Sequence, residues 1–364
     1  MNIIIDNIIV ESALIGGAIL GGGGGGWIEE GKKLASLALE KGFSEILSLD
    51  FLDPSSLLLT VSAVGAPSAG PAHLLPEDYV RAVELFLEKS QAEISGLISS
   101  EIGGLAIVNG WFQSASLGIP VVDAPADGRA HPLGLMGSMG LHKIKDYISQ
   151  QAVVGRTREG RLMETFLVGS IEETARTTRE LAAELSGLVA VARNPVEAGY
   201  VRDHGAPGAI RMAISLGKLF KEKRQAGLDS PKIVASIVDF LGEGSFLRGK
   251  VKKYSLCQEK GFDLGLIQME SSSGEYELTF WNEYMTLEKR GQRLATFPDL
   301  IMTFEAETTR PLISAAVKEG MEIIVLSVPA QRIILGTGVK DPVLLKKIET
   351  TIDREILKYH QFLL

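Results

Sequence analysis

Cysteine is nearly missing from this chain, with one, Cys257, among 364 residues. A single thiol forms no intrachain disulfide, so nothing demands an oxidising compartment; a cytoplasmic setting and a buried, inert Cys257 are expected. Aromatic residues are also few, at 6%, and no Lys/Arg stripe runs between them. With a net charge of −8, the field of the protein repels phosphodiester backbones, which excludes nucleic acid as an expected partner. No apolar run reaches the ~20 residues that span a bilayer, and no membrane segment is expected. The opening MNIIIDNIIVESALIGGAIL is apolar, yet it has no basic flank and carries Asp6 and Glu11, which argues against an export signal.

Several reaction motifs are missing too. No G-x-S-x-G elbow supports a serine hydrolase. No Gly-Lys-Ser/Thr follows the glycine run, and the segment before that run has helical rather than strand periodicity, so neither ATP nor a dinucleotide is expected there. His73, His142, His204 and His360 show no metal-ligand spacing, so a zinc site would have to assemble from distant residues. Among them His204, in the loop RDHGAPG, is best placed to approach a cleft.

What is present is the composition of a globular protein, 45% apolar and 23% charged, on a chain long enough for two domains. The spacing predicts helices over 7–20, 28–41, 77–89 and 107–117, and buried strands over 46–49, 57–64, 96–99 and 120–123. This alternation implies an α/β domain over 1–165: three layers, with a mostly parallel, doubly wound sheet. Within a second domain, 166–364, Ser170 and Glu173 form a capping box opening a helix to 186, and Pro207-Gly208 starts another, to about 223. Alternating β-branched and aromatic runs over 246–330 predict an antiparallel barrel or sandwich. A closing helix over 341–359 starts with Asp341 as N-cap and Pro342 as first residue. Leu135, Met136 and Met139 are expected to line core.

In a doubly wound sheet, ligands bind beyond the carboxyl ends of the strands, which singles out three loops. The first is the run of six glycines, 21–26. Its N–H groups, those of Gly22, Gly23, Gly24 and Gly25 above all, could form an anion-binding nest, or the run could be a flexible connection between helices. The second is SSEIGG, where Glu101 stands at a strand end with Gly103 and Gly104 behind it. It suits a general base or an acceptor for a ligand amide, or else a cap on the following helix; Asn109 lies just beyond as a further ligand-binding candidate. The third, VDAPADGRAHP, packs the catalytic candidates Asp123, Asp127 and His131, with Arg129 as a ligand-binding candidate, into nine positions. Arg129 could hold a carboxylate or oxyanion and His131 could move a proton, or Asp127 and Arg129 could simply pair.

The stretches GGAILGGGGGG, SAVGAPS, EIGG, GIPVVDAPADGRAHP and PDLI, in this order along nearly the whole chain, resemble the S-methyl thiohydantoin desulfurase family, formerly the domain of unknown function 917. The resemblance implies an N-terminal α/β domain and a C-terminal part with a β-barrel. It also implies hydrolysis of the C–S bond of an S-methylated thiohydantoin, releasing methanethiol and leaving a hydantoin, in the setting of hydantoinase and oxoprolinase systems. The family has Asp-Pro after its glycine run where this chain has Trp27-Ile28, and glycines after the Glu where this chain has Leu105-Ala106. The expectation is a hydrolase of a small cyclic amide or thioimidate. Glu101 or Asp123 would activate water, the glycine nest and Arg129 would stabilise developing charge, and His131 would protonate the leaving atom, with a divalent metal such as zinc as an open requirement. The alternative is a non-catalytic partner subunit of a hydantoinase-type enzyme. A homo-oligomer acting on a small molecule is expected.

Overall fold

The computed structural model describes residues 1–66, 73–185 and 187–360. Two eight-stranded sheets organise the chain. The first sheet takes β1 (Ile3–Ile4), β2 (Glu45–Leu47), β3 (Leu57–Gly65), β4 (Gly96–Ser99), β5 (Val121–Val122), β6 (Ser149–Arg156), β7 (Leu162–Gly169) and β8 (Leu188–Glu197), in the order β1-β2-β5-β4-β3-β8-β6-β7. The contiguous block β2, β5, β4 and β3 is parallel. β1 at one edge and β8, β6 and β7 at the other pair antiparallel, so the sheet is mixed beyond its parallel block. The helices of this half are α1 (Asn7–Leu20), α2 (Ile28–Glu40), α3 (Pro76–Ser90), α4 (Trp111–Leu117) and α5 (Ile171–Glu184).

Three helices follow, α6 (Ala198–His204), α7 (Ala209–Gln225) and α8 (Ser230–Leu241). The second sheet comprises β9 (Ser245–Glu259), β10 (Phe262–Ser271), β11 (Gly274–Trp281), β12 (Glu283–Lys289), β13 (Gln292–Thr296), β14 (Leu300–Glu305), β15 (Pro311–Leu312) and β16 (Glu322–Val328), all antiparallel. Its order, β13-β12-β11-β10-β9-β16-β14-β15, leaves β13 and β15 as edges among the described residues, so the expected barrel is an open sheet. α9 (Pro342–Ile352) closes the described fold.

Local chemistry accounts for several helix starts. Asp6 and Asp341 cap α1 and α9 by accepting the backbone N–H of Ile9 and Val343, and Ser170 with Glu173 forms the capping box of α5, each satisfying an otherwise orphaned donor. α9 stops at Ile352 because Asp353 is left-handed (φ +52°), so the closing helix is shorter than its periodicity predicts. The helix expected over 107–117 is broken for a similar reason: Gly110, at φ +100°, separates a single 3-10 turn from α4. The end of the helix expected to reach 186 lies outside the described residues, as do the last two positions of SAVGAPS.

α1 exposes Asn7, Ile8 and Glu11 in its first turns and is almost wholly buried from Ser12 onward, where it crosses α7 at glycines. A Cβ on Gly16 would sit 1.7 Å from the Ala213 carbonyl oxygen, and one on Gly217 would sit 1.9 Å from that of Ser12. Met136 and Met139 are fully buried, as expected of core residues. Cys257, by contrast, is exposed: β9 there runs with its side chains mostly in solvent.

Candidate functional site

The glycine run is built for close packing. Gly22, Gly23, Gly25 and Gly26 all have positive φ, between +59° and +91°, where any other L-residue is strained. A Cβ on Gly23 would meet the Tyr284 ring at 2.6 Å, one on Gly24 the Glu283 carboxyl at 2.0 Å, and one on Gly25 the Cα of Gly103 at 2.4 Å. The Gly25 carbonyl accepts the N–H groups of Leu105 and Ala106. The run therefore joins the EIGG loop to β12 of the second sheet, and Gly22, Gly23, Gly24, Gly103 and Gly104 serve that junction. Of the glycines expected to bind ligand, Gly25 lines the neighbouring cavity, as does Gly26.

That cavity, about 930 Å³, lies between the ends of β3 and β4, α5, and the turns at the base of β10 and β12. Its size is that of a small-molecule site. Glu101, His131 and Asn109 all line it. Glu101 arrives directly after β4, where the Ser100 N–H donates to Val61 O and the Ser99 hydroxyl to the Glu101 carbonyl. Its Oε2 accepts the backbone N–H of His131 at 3.2 Å and lies 3.6 Å from His131 Nε2. Burial raises the Glu101 carboxyl to about 7, against the pull of the His131 N–H and of Arg179, Arg193 and Arg129.

His131 is 7% exposed. Burial, then the charge of Arg193, lowers its pKa to about 3, so it is a neutral imidazole near pH 7 and no imidazolium is available there as an acid. Backbone groups of Ser100 and Leu133 beside the ring favour its proton, yet neither ring nitrogen reaches hydrogen-bond geometry with a partner. Asn109 is buried with its Oδ1 likewise unbonded.

The other members of the third loop point elsewhere. Asp123 accepts the Ile210 N–H with its Oδ1 at 2.9 Å, while its carbonyl accepts that of Gly208; it holds the first turn of α7, outside the cavity wall. Asp127 accepts the N–H groups of Gly128 and Gly336, is fully buried, and is raised to about 8 by that burial. It forms no ion pair with Arg129 among the described residues. Arg129 is fully buried, donates to the carbonyls of Ala130, Pro298 and Asp299, and stacks over Phe297 at 4.5 Å. Its Nη2 has no partner and would stand 2.6 Å from a Cβ on Gly22. Arg129 thus backs the glycine run rather than the cavity wall. His204 stacks on Tyr200 at 4.2 Å, away from the cavity.

Sequence reasoning missed the cavity residues contributed by the later half of the chain. Arg179, on α5, donates to Gly65 O at 2.9 Å and Gly261 O at 3.2 Å and lies over the Phe262 ring at 4.3 Å. The residue is half-buried, but its guanidinium is enclosed enough that burial lowers its pKa to about 10. Arg193, on β8, is 5% exposed and lines the cavity without an ion pair among the described residues. Burial lowers it to about 10 as well. Glu283, the first residue of β12, reaches the cavity from the second sheet. No local pattern marks these three: each follows ordinary helix or strand periodicity. Among the described residues, no group of His, Cys, Asp or Glu is arranged to hold a metal ion. No helix among them is long and apolar enough to cross a membrane.

Two family matches cover most of the chain: S-Me-THD-like, N-terminal domain, over residues 9–158, and S-Me-THD-like, C-terminal domain, over residues 170–337. The chain belongs to the S-Me-THD-like family. No curated protein matches it. The crystal structure of a protein from Chromobacterium violaceum is similar to this S-Me-THD-like chain over 96% of each, with a TM-score of 0.70 and 18% identity. At that identity the likeness establishes the fold. The junction of the two S-Me-THD-like domains is where Glu101, His131 and Arg193 meet Phe262 and Glu283, and Trp27 completes the wall beside Gly26.

Proposed function

We propose that this S-Me-THD-like protein is a hydrolase of a small cyclic thioimidate or amide, acting on an S-methyl thiohydantoin to release methanethiol and leave a hydantoin. One observation carries the reading: a carboxyl raised to about 7, Glu101, faces the cavity beside the guanidinium groups of the half-buried Arg179 and the buried Arg193. A base with a pKa near the working pH is matched to removing a proton from water. Positive groups already in place, Arg179 and Arg193, stabilise charge that develops on the ring without reorganising.

Water adds to the ring carbon that bears sulfur and gives one proton to Glu101, while the C=N electron pair moves to the ring nitrogen. The neutral His131 ring borders Glu101 and helps to fix the water and the ring. Phe262 and Trp27 supply apolar walls. The proton taken by the departing sulfur has to come from a group that stays protonated near neutral pH. The test is incubation of the purified protein with S-methyl thiohydantoins, with and without added zinc, and assay of methanethiol and hydantoin. Well-folded protein that turns over none of them under either condition would remove the reading.

A further inference from the structure

Glu283 is 3% exposed and lines the same cavity as Glu101, from the opposite sheet. Its Oε2 has no hydrogen-bond partner. The carboxyl is wedged against the glycine run, where a Cβ on Gly24 would stand 2.0 Å from Oε1 and 2.6 Å from Cγ, so it has little room to swing away. Arg129 and Arg179 are close enough to favour its charge, but among the described residues no cation lies within ion-pair distance. Burial, and then the charge of Glu101, hold its pKa well above the ordinary carboxyl value. Two carboxyls facing one cavity do not both ionise readily, because each negative charge disfavours the other.

We propose that Glu283 is the acid partner of Glu101, the two forming a carboxyl pair that holds one proton across the cavity. The role rests on the hydrolysis proposed above. Glu101 takes the first proton of the attacking water. When the tetrahedral adduct collapses, the hydroxyl O–H electron pair becomes the new C=O bond and its proton passes to the ring nitrogen. The C–S electron pair leaves with sulfur, which takes the proton of Glu283 and departs as methanethiol. The proton on Glu101 then returns to the Glu283 carboxylate, and the pair is reset. The facing groups that set this balance are Glu101, Arg129 and Arg179 around Glu283, with Arg193 and His131 beside Glu101.

An acid acting on the leaving group is needed less when that group is already a stable anion. Glu283→Gln is therefore compared with wild type on an S-methyl thiohydantoin and on its S-(4-nitrophenyl) counterpart. The expected result is a loss of roughly 100-fold or more in kcat on the S-methyl substrate, a loss below about 5-fold on the nitrophenyl one, and disappearance of the alkaline limb of the pH profile. Equal losses on both substrates overturn the acid role while leaving the hydrolase reading intact. Glu283→Asp, which keeps the acid, is the second variant and retains more S-methyl turnover than Glu283→Gln. The protonated state is read without turnover by infrared difference spectra of wild type against Glu283→Gln at pH 7. A carboxylic acid C=O band lost in the variant is expected, and a carboxylate band in its place overturns the pair. Failure of wild type to turn over either substrate, with the acid band present, removes the hydrolase reading and the acid role together and leaves the shared-proton pair standing.

Discussion

Glu101 Oε2 accepts the backbone N–H of His131 and sits 3.6 Å from that residue's ring Nε2. The two stand thirty positions apart in the chain, with the whole of α4 and β5 between them. Their meeting fixes the carboxyl in place while its surroundings pull its proton affinity in both directions. Burial favours the acid, the N–H and the arginines favour the carboxylate, and the outcome is a group poised near pH 7.

A first prediction concerns that poise. Glu101→Gln keeps an oxygen to accept the His131 N–H but cannot take a proton. We expect thiohydantoin turnover to fall by about 10²–10⁴-fold with little change in the thermal midpoint. In wild type, the base is the ionised form, so the acid limb of kcat/KM should rise with pH and level off above about 7. A pH profile with no inflection near that value would dissociate Glu101 from the chemistry.

Arg193 should show the opposite balance of activity and stability. Because its buried guanidinium lacks an ion-pair partner among the described residues, replacing it by an apolar chain of similar length removes an uncompensated charge. Arg193→Met is expected to unfold at equal or higher urea concentration, while kcat/KM drops by about 10²-fold or more. Loss of stability alongside activity would mark it as a structural residue instead.

The glycine run makes a prediction about packing. Gly25→Ala forces a Cβ to 2.4 Å from Gly103 Cα at φ +75°. Strain of about 1–3 kcal/mol from the backbone adds to overpacking of about 1–3 kcal/mol. Urea unfolding should register the sum, and an unchanged midpoint would show that the loop relaxes freely. Gly42→Ala is the control, since a Cβ there meets nothing within 4 Å although φ is still positive.

Asp127 links stability to pH. Its folded pKa, about 8, lies above the unfolded value of about 3.9. The folded state therefore binds the proton more tightly. This contribution is complete below the unfolded pKa and is lost as pH rises through 8. Asp127→Asn retains an oxygen for the Gly128 and Gly336 N–H groups. Denaturation followed between pH 4 and 9 should show a shallower decline in the variant than in wild type, and parallel curves would refute the assignment.

Much of the fold is legible in the residues themselves. The capping oxygens of Asp6, Ser170 and Asp341 start the helices that the periodicity predicts, and the strands of the parallel block fall where short apolar runs are bounded by turn residues. The mixed edge of the first sheet and the open second sheet were not legible. β-strand periodicity states which residues face a core, but it does not state which strand pairs with which or whether the last one returns to the first. Asp123 and Asp127 show the same limit within the site. Their loop is dense in functional groups, yet each carboxyl directs its Oδ1 to a backbone N–H of a segment more than eighty residues away, that of Ile210 or Gly336.

The sequence by itself determined that the chain forms α/β and antiparallel β parts around a glycine-rich junction, and that Glu101 and His131 stand in loops at strand ends. Those are local properties, set by backbone conformation and by the alternation of apolar and polar residues. Only the tertiary structure decided that Arg179, Arg193 and Glu283 share their cavity, that Arg129 stands behind the glycines, and that burial raises the proton affinity of the cavity carboxyls. Proton affinity in a buried site depends on how much water is excluded and which charges are near, and both are fixed only when distant segments pack together.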